Sequence, residues 1–196
     1  MSLRWVSVMI LSGLIWGFLG CATGGGVYRN PDEEQILGDR WNNTDANKTA
    51  AFMIDSVLKE SWRQDFERKN KRKPVVIVDL VENRTDEYID AKALTDAIRV
   101  KLINSRKVRF LNAARRDRIL KELKFQNSGA VSKETRKSVG KQIGADYLLG
   151  GSISNIVAVQ DDYKTVTYQT DLNLTNLETS EIEWVGHHKI KKAFKR

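Results

Sequence analysis

Pro74-Val75-Val76-Ile77-Val78-Asp79-Leu80-Val81 is the most β-branched run in the chain. Branching at Cβ suits a pleated strand, and apolar residues on both faces mean that both faces are covered. The run therefore predicts a central strand. Downstream, the loop Glu82-Asn83-Arg84-Thr85-Asp86 leads to Asp90, whose carboxylate can cap a helix carrying Leu94, Ile98 and Leu102 on one stripe, with Ala91, Thr95 and Ile103 adjacent. Val108-Arg109-Phe110-Leu111 is short enough for an edge strand. Strand, helix and strand in this order predict a β-α-β unit with its strands parallel.

Working outward, Asn43 or Thr44 can cap an earlier helix in which Ala50, Ile54, Val57, Leu58, Ser61 and Trp62 recur at helical spacing. The charged run from Arg63 to Lys73 predicts a solvated helix end and loop. Ile119, Leu120 and Leu123 lie at helical spacing, and Ser132 can cap a short helix ending at Gly144. A strand resumes over 146–153, where Gly150-Gly151 predicts a bulge or a close approach by another backbone. Val166, Tyr168, Leu172 and Leu174 then alternate with polar residues, and Ile182, Trp184 and Ile190 line a returning strand after the turn Glu178-Thr179-Ser180-Glu181. The expected fold is mixed α/β, of the α+β kind. Helices pack a small mixed sheet of about four strands with a β-α-β unit and a C-terminal antiparallel hairpin.

The amino-terminal end carries a different signal. Arg4 is the only ionised side chain before the single cysteine, Cys21, and Trp5 to Leu19 is almost wholly apolar. One cysteine excludes an intrachain disulfide. Residues 1–20 read as a secretory signal peptide and Cys21 as the lipidated first residue of a mature lipoprotein. A buried free thiol and a membrane-spanning helix are the competing readings. Three glycines directly after the cysteine speak against the first, and an apolar run short of the ~20 residues of a span speaks against the second. Residues 21–38 read as a flexible tether of at most about 60 Å, and 39–196 as a single globular domain.

Lys and Arg number 33 against 25 acids, a net charge of +8. Such a surface suits acidic partners, and export excludes nucleic acid from among them. Catalytic constellations are missing from the pattern. His187 and His188 are adjacent on a strand, so they point to opposite faces and cannot grip one metal. Asp161-Asp162 and Glu178 to Glu181 occupy expected turns. Ser152 lacks the second glycine of a nucleophile elbow, and Gly24 to Gly26 lack the strand and the Lys-Ser or Lys-Thr of a phosphate cradle. Tyr147, Tyr163 and Tyr168 fit half-buried strands better than base-stacking platforms. The chain reads as a binding or regulatory module with no cofactor and no metal, not as an enzyme.

Several blocks together resemble a known family. Gly38 to Asp45, Pro74 to Asp90 around Glu82-Asn83-Arg84-Thr85, Leu102 to Ser105 with Lys107 to Phe110, Gly144 to Ser152, and Leu174 to Thr179 are similar, in order, to the LpoB family of lipoprotein activators of bifunctional penicillin-binding proteins. The resemblance implies a domain like the amino-terminal domain of the translocation protein TolB. It also implies anchoring at the outer membrane facing the periplasm, binding to a docking domain of the synthase, and stimulation of peptidoglycan synthesis. The partner surface expected here is Asn83, Arg84 and Thr85 with Arg109, Arg115 and Arg116. The competing function is a structural envelope lipoprotein that holds peptidoglycan or anionic lipid without regulating an enzyme.

Overall fold

The computed structural model describes Asn30 and residues 33–34, 38–112, 115–134 and 144–195. Residues 32–196 form one compact unit, to which all the helices and strands below belong. Cys21, the signal and most of the tether lie outside the described residues, as does most of the helix expected after Ser132.

Helix α1 (Asn43–Lys59) is capped by Asn42, one residue before the earlier of the two expected caps. The Asn42 side chain accepts from the Asp45 amide at 3.2 Å, and the Asp45 carboxylate accepts from the Asn42 amide at 3.0 Å. This reciprocal pair satisfies two of the amides a helix start leaves open. Ala50, Met53, Ile54, Val57 and Leu58 are its buried stripe. The helix breaks at Glu60, where the backbone turns extended. A second helix, α2 (Trp62–Asn70), replaces the expected helix end and loop. Trp62 anchors it, buried, with its indole N–H donating to the Val57 carbonyl at 2.6 Å. Arg63–Glu67 and Arg68–Asp65 ion pairs at helical spacing support the charged remainder.

Strands β1 (Val75–Val78) and β2 (Glu82–Asn83) precede helix α3 (Ala91–Asn104), strand β3 (Arg109–Phe110) and helix α4 (Arg116–Phe125). Asp90 caps α3 by accepting from the Ala93 amide at 3.0 Å. Leu94, Ile98 and Leu102 are buried, but Ile103 is largely exposed. Three long strands follow: β4 (Tyr147–Gln160), β5 (Tyr163–Asn176) and β6 (Ile182–Lys195). The sheet order is β3-β1-β4-β5-β6, with β2 pairing β4 farther along. β1 is parallel to β3 and β4, and β2 is parallel to β4. The other pairs are antiparallel.

The β-α-β unit and the C-terminal hairpin are therefore present in a mixed α+β fold. The sheet has six strands, two of them only two residues long. β1 is flanked on both sides and has Val75 and Val76 buried on opposite faces, but the middle of the sheet falls to β4. β4 alone joins the parallel unit to the antiparallel pair, and its ladder with β5 carries it seven residues past Ile153.

The core lies between the sheet and the face formed by α1 and α3. Leu149 and Ile153 of β4, Val166, Tyr168, Leu172 and Leu174 of β5, and Trp184 of β6 face it. Burying each of these aliphatic side chains contributes roughly 1.5–3 kcal/mol. Gly151 admits the close approach expected of the glycine pair, since the Asp171 main chain crosses directly against it. A register shift at Leu174/Thr175 puts Ile182 opposite Thr175, on the polar side, so it is exposed instead of lining the core. On α4, Ile119 is exposed and Leu120 and Leu123 are half-buried.

Candidate functional site

The loop from β2 to α3 is short and heavily bonded. The Asn83 side-chain oxygen accepts from the Thr85 amide at 2.9 Å and its hydroxyl at 2.7 Å, while the Asn83 amide group donates to the Glu87 carbonyl at 2.9 Å. This is the local turn that Asn favours through its own side chain. The Arg84 amide donates to the Ile153 carbonyl at 2.8 Å, which ties the loop to β4. Asp86 and Asn155 bond each other twice, through the Asp86 amide and carboxylate. The buried Tyr168 side chain completes the platform from below. Its hydroxyl lies 2.7 Å from Glu87 Oε1 and 3.0 Å from the Asp39 carbonyl oxygen, and its ring packs edge-on against Trp41 at 5.3 Å. Burial, reinforced by the Glu87 acceptor, pushes the Tyr168 hydroxyl well above the usual phenol range, so it stays a donor.

This bonding has one conspicuous product. Glu87 is held by Tyr168 and Thr85, and Ile89 is buried at 5% exposure, so the residue between them is forced outward. Tyr88 is 98% exposed. An aromatic ring displayed on a fixed loop loses little conformational freedom on binding, which is why Tyr recurs among interface hot spots. Reading the sequence missed Tyr88. The available signal was its position between a polar residue and an apolar one in a turn-rich loop.

The six residues expected to form one partner surface do not lie together. Asn83, Arg84 and Thr85 share the platform beside Ile153. Arg109 pairs in register with Val75, at the opposite end of β1, where its charge faces Asp146. Since Asn83 lies opposite Ile153 and Val76 opposite Tyr147, the two ends are some seven residues apart along β4, about 23 Å at ~3.3 Å per residue. Arg115 borders a separate cleft of about 620 Å³, with Arg99, Asp96, Ile103 and Phe110 also in its lining. Arg116 opens α4.

At the Arg109 end, Asp146 receives a fork of two 2.7 Å bonds from Arg72 and a 2.8 Å bond from the Val75 amide. Burial works against the Asp146 charge, but Arg72, the Val75 amide and Arg109 outweigh it and hold the carboxyl below its usual range. Arg72 also lies over the Phe66 ring at 5.0 Å. This cluster joins the start of β1 to the start of β4.

The histidines occupy opposite faces of β6. His187 pairs with Asp171 at 2.6 Å on the polar face, whereas His188 sits half-buried against Thr49 at 3.2 Å and stacks on Phe52 at 4.6 Å. Only His187 is thus a surface residue. Burial, together with the charge of His187, lowers the His188 pKa. Among the described residues, no cluster of three or more His, Cys, Asp or Glu is placed to hold a metal, and no helix is long and apolar enough to cross a membrane.

What the geometry defines is a small α+β domain that presents bonded loops and an exposed aromatic at its surface. Residues 45–190 match the family model described as peptidoglycan-synthase activator LpoB. The chain belongs to that family. Among solved structures, the LpoB C-terminal domain from Escherichia coli is 22% identical, with 74% of this chain and 98% of that one covered at a TM-score of 0.45. The corresponding Salmonella enterica domain is 21% identical over the same shares, with a TM-score of 0.42. The NMR structure of E. coli LpoB is 17% identical, covering 100% of this chain and 94% of that one at a TM-score of 0.41. A comparison with curated proteins found no match.

Proposed function

We propose that this chain is a non-catalytic envelope lipoprotein that binds a bifunctional penicillin-binding protein through the synthase's docking domain and raises its activity. Acyl chains on Cys21 tether it to the outer membrane, facing the periplasm, with residues 21–38 as the flexible link. The observation that carries the reading is the family match across residues 45–190. The surface geometry supports a binding role, because Tyr88 is held outward on a loop fixed by Asn83, Thr85, Glu87 and Tyr168.

Activation is then a coupling between two sites of the synthase. The bound domain contributes free energy only to the extent that it binds the active arrangement more tightly than the inactive one. Asn83, Thr85 and Tyr88 form the contact surface in this reading. Arg109 and Arg115, at separate places on the domain, act as outlying charges that hasten encounter with an acidic face.

Purified protein added to bifunctional synthases from the same organism tests this directly. The expected result is saturable binding together with faster glycan chain formation. Absence of both would overturn the proposal. The mass of the mature amino-terminal peptide tests the anchor separately, since an unmodified Cys21 removes it.

A further inference from the structure

Where α2, the start of β4 and the β5–β6 turn meet, they line a cleft of about 610 Å³. Its floor is aromatic. The Tyr147 ring packs edge-on against Trp62 at 5.0 Å and Phe66 at 5.6 Å. Tyr147 is 3% exposed, yet its hydroxyl has no hydrogen-bond partner among the described residues. A buried phenol ordinarily finds one. Arg63 Nε is the one fully enclosed side-chain polar atom without a partner among those residues, so the Tyr147 hydroxyl is not enclosed and opens onto the cleft. The charges that act on it lie there too. Burial comes first in pushing its pKa up to about 12, followed by Glu183, Asp146 and Asp65, and all three of these acids line the cleft.

Two of the acids in the lining are already committed. Asp146 holds the Arg72 fork and Asp65 pairs with Arg68, which leaves Glu178 and Glu183 against Lys69. Glu183 receives a single 3.3 Å bond from the Asn176 side chain, and the Glu178 carboxylate has no partner among the described residues. The turn between them is fixed in advance, because Asn176 Oδ1 accepts from the Glu178 amide at 2.9 Å and the Leu177 amide donates to the Asp146 carbonyl at 2.9 Å. Leu177, 45% exposed, adds an apolar wall. An anion entering here would be repelled by both carboxylates. A metal ion is poorly suited as well, since among the described residues no three such ligands converge. The acceptors suit a cation that reaches each of them over a full hydrogen-bond length.

We propose that this cleft binds the ammonium group of a lysine-type side chain carried on a peptide. Glu178 and Glu183 take its charge, and the Tyr147 hydroxyl accepts a third bond from it while keeping its own proton to donate. Leu177 packs along the alkyl stem. Three acceptors on three separate side chains favour an ammonium, whose donors rotate, over the planar fork of a guanidinium. Arg72 shows the same chemistry within the fold, with its head on Asp146 and its charge over the Phe66 ring. The cleft lies at the Asp146 end of β4, about 23 Å along that strand from the Asn83 loop, so it serves a second ligand and not the contact assigned to Tyr88.

No synthase enters the test, so its outcome is independent of the synthase-binding reading. The full chain, isotope-labelled and in mild detergent, is titrated by NMR with the blocked peptide acetyl-Ala-Lys-Ala-amide, whose one charge is the side-chain ammonium. Saturable shifts of the Tyr147 and Glu178 amides are expected, and acetylating the amine should weaken binding about tenfold or more. Tyr147→Phe removes an oxygen that bonds nothing in the fold. It and Glu183→Gln should each weaken binding about tenfold with the urea midpoint unchanged, whereas Lys69→Ala and Tyr88→Ala should not weaken it. A cell-wall stem peptide whose diamino acid has a free amine is titrated in parallel, and tighter binding than the lysine peptide assigns the ligand to the wall, weaker binding to a protein. Absence of saturable shifts, equal affinity for the acetylated peptide, or loss of binding in Lys69→Ala would overturn the proposal. So would a Tyr147→Phe chain that binds as the parent does.

Discussion

Gly150 and Gly151 are neighbours in β4 with opposite expected tolerance of a methyl group. A Cβ at Gly151 would lie 2.0 Å from the Asp171 carbonyl oxygen and 2.8 Å from the Leu172 Cα. Both are main-chain atoms of β5, and neither can rotate aside. Against an ordinary separation of ~3.5 Å the deficit is about 1.5 Å, which the β4–β5 ladder must absorb by moving apart locally. Overpacking of this kind costs about 1–3 kcal/mol, and each ladder bond lost adds about 1 kcal/mol. Gly151→Ala should therefore destabilise the protein by about 3 kcal/mol, which lowers Tm by about 6–12 °C for a chain of this size. At Gly150 the added Cβ meets only the Asp79 Cβ, at 3.5 Å, an ordinary contact. Gly150→Ala should stay within about 0.5 kcal/mol of the parent. Urea unfolding followed by far-ultraviolet circular dichroism measures both, with thermal melts as a check. Equal stability of the two variants would refute the reasoning, because Gly151 alone combines a crowding backbone with a φ of +158° that a side chain rarely adopts.

Other perturbations follow from the same geometry. Tyr88→Ala should leave the urea midpoint unchanged, since the ring is 98% exposed, yet weaken binding to the synthase by about tenfold or more if the ring is an anchor; an unchanged titration would remove Tyr88 from the contact surface. Lys192 and Asp45 form a 2.5 Å ion pair with side chains 9% and 7% exposed, so Lys192→Ala strands a buried carboxylate and should cost about 3–5 kcal/mol, whereas Lys192→Met with Asp45→Asn should recover much of the loss. Equal losses in the single and double variants would count against that assignment. Asp146 has a folded-state pKa below its ordinary 3.8. Its contribution to stability is full above the unfolded pKa and fades as pH falls through the folded one, so the parent should lose stability below about pH 4 more steeply than Asp146→Asn does. Parallel acid limbs would contradict this.

Elements whose cause is local were legible in the chain. The β-branched run at 75–78, the Asp90 cap, the buried stripe of α3, and the alternation from Val166 to Leu174 follow from periods and side-chain chemistry that neighbouring residues carry themselves. Helix α2 was hidden because only Trp62 and Phe66, one turn apart, interrupt its charged sequence; both pack against the core beside Tyr147. Two ion pairs at helical spacing support it, but the burial of Trp62 and the packing of Phe66 depend on how the chain turns at Glu60 and on Tyr147, which is remote in sequence. The full length of β4 was hidden too, since residues 154–160 acquire strand identity only from the register of β5 opposite them.

The expected partner surface shows the same division most clearly. Asn83, Arg84 and Thr85 were recognisable as a turn, and the turn exists. That Arg109 sits some seven residues away along β4, and that Tyr88 is expelled between a tethered Glu87 and a buried Ile89, depends on strand order and on Tyr168, which is remote in sequence. Short-range pattern thus determined the kinds of element, the turn chemistry and the family to which the chain belongs. Which side chains share a surface was decided by the tertiary structure, because adjacency across a sheet is set by register and crossover, and a single sequence carries neither.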